Sequence, residues 1–274
     1  MGNFATEQVA SFSDFVAVIE AQRVAADRVL WYRGCGKGVH QLTPSLYRNR
    51  QNASIEDLIK LEKRLLETFR QRSQPFLPRP MEKSWELMFL MQHYGVPTRL
   101  LDWTESPFIA LFFAVTSAPH ELRPDGSLVF ADDAAVWILD PQAWNKAAVA
   151  LKDYDGDVLT TVDPNLNSNA YGPAPECRDM QDPPLAMYGV HNSSRIVAQR
   201  GVFVVFGKAT EPMEQLHSDN RFPDACLVKL TFDRNVLPAM LTALCSHGIG
   251  DSAAFPDLDG LAREIRRQNG FEVY

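Results

Sequence analysis

The chain has 274 residues, of which 46% are hydrophobic and 22% are charged, and its formal net charge at pH 7 is −7. These proportions are typical of a globular protein, and no apolar run approaches the roughly 20 residues of a membrane span, so we predict a cytoplasmic protein without membrane contact. The acidic balance argues against non-specific duplex binding, which needs a broad basic surface, although it permits a local basic site.

The first predicted elements are a helix, a short strand and a second helix. Residues 6–27 are predicted to be helical, with an amphipathic pattern that is clearest from Phe12 to Val29. A short strand over 30–33 follows and stops at Gly34. Apolar residues then recur at helical spacing over 54–70, with Ser54 as the predicted N-cap. We expect this helix to pack on the core.

The middle of the chain is predicted to hold two helices with clear end signals. The first runs over 84–93 and ends at Gly95 and Pro97. The second opens at Ser106 with Pro107 in its first turn, and it is apolar on nearly every side. We therefore expect the second helix to be buried.

The second half of the chain mixes strands with helices. Strands are predicted over 128–130, 136–139, 194–199, 202–206 and 226–232. Helices are predicted from Asp140 and Pro141, over 236–245 and over 258–268. Residues 152–184 show no periodicity and are interpreted as a long irregular insertion. With no internal repeat and no linker, one α+β domain over 1–274 is the simplest organisation, with a helical C-terminal region over 233–274.

The densest run of polar residues is HYGVPTRLLDWTESPFIALFFA, residues 93–114. Thr98 and Arg99 can contact a ligand or can hold Asp102 in place. Thr104 and Ser106 precede a helix, where hydroxyls suit an anion or a ribose hydroxyl but also serve as ordinary caps. Both alternatives stand for each pair.

Arg33 is the first candidate functional residue outside that run. A guanidinium at a strand end beside Gly34 can form two hydrogen bonds to a phosphate or a ribose. The alternative is a structural ion pair with Asp102 or Glu105. The glycines that follow match neither a Walker loop nor a dinucleotide-binding fingerprint.

Other reaction classes find little support in the pattern. The histidines are far apart, no serine or cysteine has the context of a hydrolase nucleophile, and no pair of metal ligands has the required spacing, so no metal is predicted. The four cysteines are scattered and are predicted to be free thiols. In a strand over 194–199, alternation would place Arg195 and Gln199 on one face. There the Gln199 carboxamide could orient a hydroxyl or amine, or it could only satisfy backbone groups, which is at least as common.

At three separated motifs the sequence resembles the FRG domain family of bacterial and phage proteins. The name-giving signature is present as Tyr32-Arg33-Gly34. The resemblance continues through LMQHYGVPTRLLDWTESPFIALFFAV, residues 90–115, and RIVAQRGVFVVFG, residues 195–207. It covers about residues 28–210, in the order in which the family carries these motifs.

The resemblance implies an ADP-ribosyltransferase-like fold, in which a split central β-sheet with flanking helices holds NAD in a cleft. By resemblance Arg33 binds the substrate, Thr104 and Ser106 form the second motif, and Gln199 takes the position of the late catalytic residue. The remaining candidate NAD contacts are Gly34, Tyr94, Thr98, Arg99 and Asp102. A neutral Gln199 cannot supply the charge of the usual glutamate, so either Asp102 or Glu105 compensates, or transfer is restricted to acceptors that need little base assistance.

The function implied by the resemblance is NAD-dependent ADP-ribosylation of a nucleic-acid base or a protein. Such an enzyme would serve as a toxin or a phage-defence effector, with DNA modification as one form and with an antitoxin or another protein as a partner. The alternatives are a non-catalytic module that binds a nucleotide or a partner, and an NAD glycohydrolase, which uses water as the acceptor. NAD is the expected substrate in the enzymatic cases.

Overall fold

A computed structural model describes residues 4–48, 54–77, 81–148, 158–162, 170–190, 194–218, 222–271 and 273. Its strands are β1 (Ala5–Gln8), β2 (Trp31–Cys35), β3 (Leu100–Thr104), β4 (His120–Leu122), β5 (Leu128–Phe130), β6 (Ala134–Leu139), β7 (Leu159–Thr160), β8 (Leu185–Tyr188), β9 (Gly201–Val205) and β10 (Leu227–Phe232).

The helices lie between and after these strands. They are α1 (Phe12–Ala26), α2 (Ile55–Arg72), α3 (Ser84–His93), α4 (Pro107–Thr116), α5 (Pro141–Ala148), α6 (Ser194–Ala198), α7 (Met213–Leu216), α8 (Leu237–Ser246), α9 (Asp251–Ala254) and α10 (Leu258–Gln268). Short 3-10 turns occupy Gln74–Phe76, Cys177–Asp179 and Asp224–Cys226.

Eight strands form one mixed sheet in the order β1-β10-β6-β2-β3-β9-β8-β7, and β4 pairs with β5 in a separate hairpin. The outer pairs β1/β10 and β7/β8 are parallel, and the inner pairs are antiparallel. The mixed α/β architecture confirms the predicted class at that level. The likeness to the ADP-ribosyltransferase fold stays a prediction.

The central pair β2/β3 is the weak point of the sheet. These strands share one residue pair, Tyr32 with Thr104. By contrast, β2 pairs with β6, and β3 with β9, over five residue pairs each. The sheet therefore consists of two well-paired halves that meet at a single position and diverge beyond it.

Alternation along the strands divides the core into three clusters of buried side chains. On one face, α1, α4 and α8 cover the half that contains β2, and α2 and α3 cover the half that contains β3. On the opposite face, one continuous cluster spans both halves, with Trp31 and Trp137 from one half and Trp103 and Val204 from the other. The halves are thus joined from behind, while an opening lies between them on the helical face.

The predicted helices with strong end signals are confirmed. Ser54 caps α2 by accepting a hydrogen bond from the Asp57 amide, and Ser106 caps α4, whose first residue is Pro107. Helix α4 is buried along most of its length, as its apolar composition predicted. The four cysteines are free.

Three predictions about local structure need correction. Residues 5–8 form strand β1 rather than part of a helix over 6–27, because the helix begins only after its Ser11 cap. Residues 194–198 form helix α6 rather than a strand, since five residues are too few for periodicity to separate the two. Parts of 152–184 lie outside the described residues, but the rest is not uniformly irregular: it contains β7, β8 begins at its end, and Tyr171 is buried.

Candidate functional site

A cavity of about 240 Å³ lies at the opening between the two halves of the sheet. Strands β2, β3 and β9 form its floor, and α3, α4 and α6 form its walls. It holds two arginines, one carboxylate, one histidine and several aromatic rings. Its lining residues are Tyr32, Arg33, Gly34, Phe89, Gln92, His93, Asp102, Trp103, Thr104, Phe113, Arg195, Ile196, Gln199, Gly201, Val202 and Phe203.

Arg33 crosses the opening between the strands. Its Nη1 donates a 2.5 Å hydrogen bond to the backbone carbonyl of Asp102, on the other half of the sheet. It makes no ion pair within the described residues, and its buried Nε has no hydrogen-bond partner there. The alternative of an ion pair between Arg33 and the carboxylate of Asp102 or Glu105 is therefore absent from the described structure. Arg33 keeps N–H donors that can bind a ligand.

Gly34 lines the cavity but is also needed for packing. A Cβ at this position would lie 1.9 Å from the Ala110 carbonyl oxygen and 2.6 Å from the Ala114 nitrogen. Both atoms belong to the backbone of α4, which cannot be moved as a flexible side chain can. The glycine thus lets α4 approach β2 closely, independently of any ligand.

The Asp102 carboxylate is held by a chain of hydrogen bonds that begins at Thr98. The Thr98 hydroxyl donates to Gln92 Oε1, which turns the Gln92 amide group so that its Nε2 donates to Asp102 Oδ2 at 2.7 Å. The Thr98 hydroxyl also accepts from the Leu100 amide at 3.1 Å. Of the two alternatives for Thr98, the structure therefore shows the positioning of Asp102.

Asp102 has a perturbed acidity. Its side chain is exposed to the cavity, yet protein atoms surround the opening. The resulting desolvation raises the pKa of Asp102 above its ordinary value, although the Arg33 charge and the Gln92 hydrogen bond oppose the rise. A carboxyl group with a raised pKa retains a proton more readily than one in water, which suits acid–base chemistry.

Arg195 and Gln199 reach the cavity from α6 and its C-terminal end, one helical turn apart. The Gln199 amide donates to the Ala254 carbonyl at 3.0 Å, and the Arg195 guanidinium lies over the Phe255 ring, 4.5 Å from its centroid. The Thr104 hydroxyl donates to the Gln199 carbonyl at 2.5 Å. The segment around α9 therefore fixes two side chains of the cavity wall.

Eleven of the sixteen lining residues were not among the predicted site residues, and Gln92, His93 and Arg195 are the ones that matter most for the chemistry of the cavity. Gln92 and His93 end α3, which was predicted correctly, but sequence alone does not show which helix end meets the cavity. Desolvation, with a further contribution from Arg195, lowers the pKa of His93, and desolvation lowers the pKa of Arg195. The neutral form of His93 is favoured, so Arg33 and Arg195 carry the positive charge.

A second cavity of about 200 Å³ adjoins the first and shares Arg33, Gln92 and Asp102 with it. Its additional polar residues are Ser45 and Arg48. Arg48 has neither an ion pair nor a side-chain hydrogen bond within the parts of the chain that the structure describes. Desolvation and the nearby Arg33 charge lower the pKa of Arg48. Two guanidinium groups thus face this second cavity, opposed by the one carboxyl group of Asp102.

Five predicted site residues do not line the main cavity. Tyr94 is 69% exposed and packs edge-on against His93. Ser106 caps α4, and the Glu105 amide donates to the Arg200 carbonyl. The other two, Thr98 and Arg99, are buried behind the cavity. The predicted residues that do line it are Arg33, Gly34, Asp102, Thr104 and Gln199.

Arg99 is fully buried and bonded to protein atoms on several sides. Its Nε pairs with Glu62 Oε1 at 2.9 Å, and its terminal nitrogens donate to the carbonyls of Phe206, Tyr171 and Gly172. It does not contact Asp102. These bonds tie β3 to α2 and to the segment after β7, so Arg99 acts on the fold of this half of the sheet.

Within the described residues, no group of His, Cys, Asp and Glu side chains is arranged to hold a metal ion. The helices of that part of the chain include none that is long and apolar enough to span a membrane.

Comparison with known proteins gives one positive result. The family model of the FRG domain matches residues 28–122. This range begins before β2, ends with β4, and includes Arg33, Gln92, Asp102 and Thr104. Neither a curated protein nor a solved structure matches the chain. The matched range is shorter than the predicted 28–210, and Arg195 and Gln199 lie beyond it. Both strands that border the opening therefore lie in the part of the chain that matches the FRG domain, and this match supports the predicted resemblance to that family.

Proposed function

We propose that the opening between β2 and β3 binds NAD and that the protein transfers ADP-ribose to an acceptor. The observation that carries this proposal is the position of Arg33, which extends from one half of the sheet to the other at the edge of a cavity with a second arginine and one carboxyl group. Guanidinium groups suit the diphosphate of a dinucleotide. The nearly buried rings of Tyr32, Phe89 and Phe203 make part of the cavity lining apolar, which suits a nicotinamide ring.

In the proposed reaction, the bond between ribose C1′ and the nicotinamide nitrogen breaks, and its electron pair leaves with nicotinamide. The positive charge that develops on C1′ and the ring oxygen is stabilised by the Asp102 carboxylate. The acceptor's lone pair then forms a bond to C1′, and its proton passes to Asp102, whose raised pKa favours protonation. One N–H of the Gln199 carboxamide donates to the Ala254 carbonyl, so its other N–H orients the acceptor; the carboxamide takes no proton.

In this proposal Asp102 takes over the role of the late catalytic glutamate, whose position is occupied by Gln199. Glu105 does not line the cavity, whereas Asp102 does, so the role that sequence reasoning divided between them goes to Asp102. Tyr94 and Ser106 also lie outside the lining. These two predicted NAD contacts are therefore left out of the proposed site, and the nicotinamide is assigned to the apolar interior of the cavity.

A second candidate is a binding module without catalysis, and the size of the cavity favours it. At about 240 Å³, the main cavity is smaller than the roughly 300–1,000 Å³ of most ligand pockets. A small cavity suits part of a dinucleotide, with the remainder over the adjoining space near Arg48. Such a module would bind nucleotide and release no nicotinamide.

The experiment supplies NAD labelled on the adenylate phosphate together with single-stranded DNA, RNA or a protein mixture, and follows nicotinamide release and label transfer. The transferase proposal expects label on one class of acceptor and its loss in Arg33→Ala. Arg33→Lys keeps the charge but not the two-pronged donor geometry, so it should recover little activity. Arg72→Ala, at an exposed arginine of α2, is the matched control.

The outcomes separate the candidates. Nicotinamide release with no labelled acceptor supports an NAD glycohydrolase, in which water attacks C1′. NAD binding without release supports the binding module. Unchanged NAD binding and turnover in a folded Arg33→Ala protein would contradict the assignment of this opening.

A further inference from the structure

Two arginine side chains share one aromatic ring beside the main cavity. The Cζ atom of Arg195 lies 4.5 Å from the centroid of the Phe255 ring, and the Cζ atom of Arg263 lies 5.1 Å from it. The two guanidinium groups are therefore close neighbours. Arg195 lines the cavity, whereas Arg263 belongs to α10 and lies outside the lining, so the pair extends from the cavity toward the surface.

The Phe255 ring is held in place by contacts on several sides. It packs edge-on against Phe113 of α4, with 5.8 Å between the ring centroids. The Phe255 carbonyl accepts a 2.9 Å hydrogen bond from the Asp257 amide. Gly260 lets α10 approach that carbonyl, because a Cβ there would lie 1.9 Å from its oxygen. The start of α10 is thus fixed against the ring, and Arg263 is fixed with it.

The two guanidinium groups have no polar partner in the part of the chain that the structure describes. Neither Arg195 nor Arg263 makes an ion pair or a side-chain hydrogen bond there. The Asp257 carboxylate, which is nearby, accepts a 2.8 Å hydrogen bond from the Gly260 amide as the cap of α10. Two like charges held together without a carboxylate in contact are stabilised by an anion that both can bind.

The acidity of Arg195 agrees with this arrangement. Desolvation lowers the pKa of Arg195, and the Arg263 charge lowers it further, while the charges of Asp102 and Asp257 oppose the change. A bound anion would offset both the desolvation and the repulsion.

We propose that Arg195 and Arg263 form a binding subsite for a phosphate group beside the Phe255 ring. A guanidinium that packs on a ring keeps N–H donors at its edge, and these match the oxygens of a phosphate. The chain carries a net charge of −7, so the contacts in this subsite, rather than the overall charge, must attract the anion. The subsite is separate from Arg48 and does not depend on NAD being the ligand of the opening.

The first test measures how fast phenylglyoxal modifies Arg263 in the full chain, by peptide mass spectrometry. Inorganic pyrophosphate should slow the modification of Arg263 several-fold and leave that of the exposed Arg72 unchanged. The protection should persist in Arg48→Ala, because the subsite lies apart from the second cavity. Absence of protection in the wild type, or its loss in Arg48→Ala, would overturn the proposal.

Two further probes identify the source of the phosphate. Protection of Arg263 by ADP-ribose but not by AMP assigns the phosphate to a dinucleotide that extends out of the cavity. Protection by AMP but not by ADP-ribose assigns it to a second ligand with a phosphate monoester. Either result supports the subsite.

The variant Arg263→Ala tests whether the arginine pair binds an anion or only holds the ring. In an Arg48→Ala background, it should weaken the remaining pyrophosphate binding about 10-fold or more in calorimetry. Its Tm should stay within about 4 °C of the background protein, because an exposed cation–π contact contributes little to stability. Arg263→Lys should recover only part of the affinity, since lysine lacks the two-pronged donor geometry.

Arg72→Ala in the same background is the matched control and should leave the affinity for pyrophosphate unchanged. An Arg263→Ala protein with unchanged affinity and a much lower Tm would show that the pair only supports the fold, and would overturn the proposal.

Discussion

The substitution Glu62→Gln tests whether the polar run around Arg99 serves the fold. Glu62 and Arg99 are 1% and 0% exposed, and the Glu62 carboxylate also accepts a 2.8 Å hydrogen bond from the Ala174 amide. Glutamine keeps the shape but removes the charge, and its amide group must face one of the two donors. Breaking a buried ion pair on one side costs about 3–5 kcal/mol, which at about 2–4 °C per kcal/mol lowers Tm by roughly 6–20 °C.

Thermal and urea unfolding followed by circular dichroism give the measurement. Glu20→Gln is the matched control, because Glu20 pairs with Arg23 at 3.0 Å with both side chains more than half exposed. Such a pair contributes at most about 1 kcal/mol. A Glu62→Gln protein with a Tm within about 2 °C of wild type would refute the structural role of the pair, since it implies less than about 1 kcal/mol. Loss of NAD binding at unchanged Tm would instead favour Arg99 as a ligand contact.

Three further predictions concern the site. Gly34→Ala should destabilise the fold by at least about 1–3 kcal/mol in urea unfolding, because its Cβ meets the α4 backbone; an unchanged free energy of unfolding would contradict that packing. Asp102→Asn should be more stable than wild type near neutral pH, with a gain that shrinks toward pH 3.8. The pKa of Asp102 in the folded protein is raised from 3.8, so the stability that this group contributes is lost as the pH rises from 3.8 through the folded pKa. Parallel profiles of Tm against pH for the variant and the wild type would contradict this prediction. Arg48→Ala should weaken inorganic pyrophosphate binding about 10-fold or more in calorimetry, while Arg72→Ala should not; equal affinities would remove Arg48 from the site.

The helices were predictable because their signals are local. Ser54 and the pair Ser106 and Pro107 mark helix starts within a few residues, and the apolar spacing of α2 is that of a helix with one buried face. Strand β3 gives no such signal. Its residues are buried on both faces except for Asp102, so the alternation that identifies a half-buried strand is lost.

The site was partly predictable for the same reason. Arg33 follows from its place in a strand beside Gly34 and from the FRG resemblance, and both features are readable in a few residues. Arg195 and Gln92 reach the cavity because α6 and α3 end there, which depends on packing between distant parts of the chain. Arg99 was assigned to the ligand because its buried partner, Glu62, lies 37 residues earlier and no local pattern pairs them.

The contrast between Arg99 and Arg33 shows how the site differs from the scaffold. Four protein groups accept hydrogen bonds from the Arg99 guanidinium, and one of them is a carboxylate. Within the described residues, Arg33 has one backbone acceptor and its Nε has no partner; its carboxyl neighbour is Asp102, whose pKa is raised rather than lowered. Incomplete pairing of buried polar groups costs stability and is retained where a ligand completes it. A phosphate-bearing ligand that pairs with Arg33 should therefore stabilise the folded protein, as any ligand selective for the native state does.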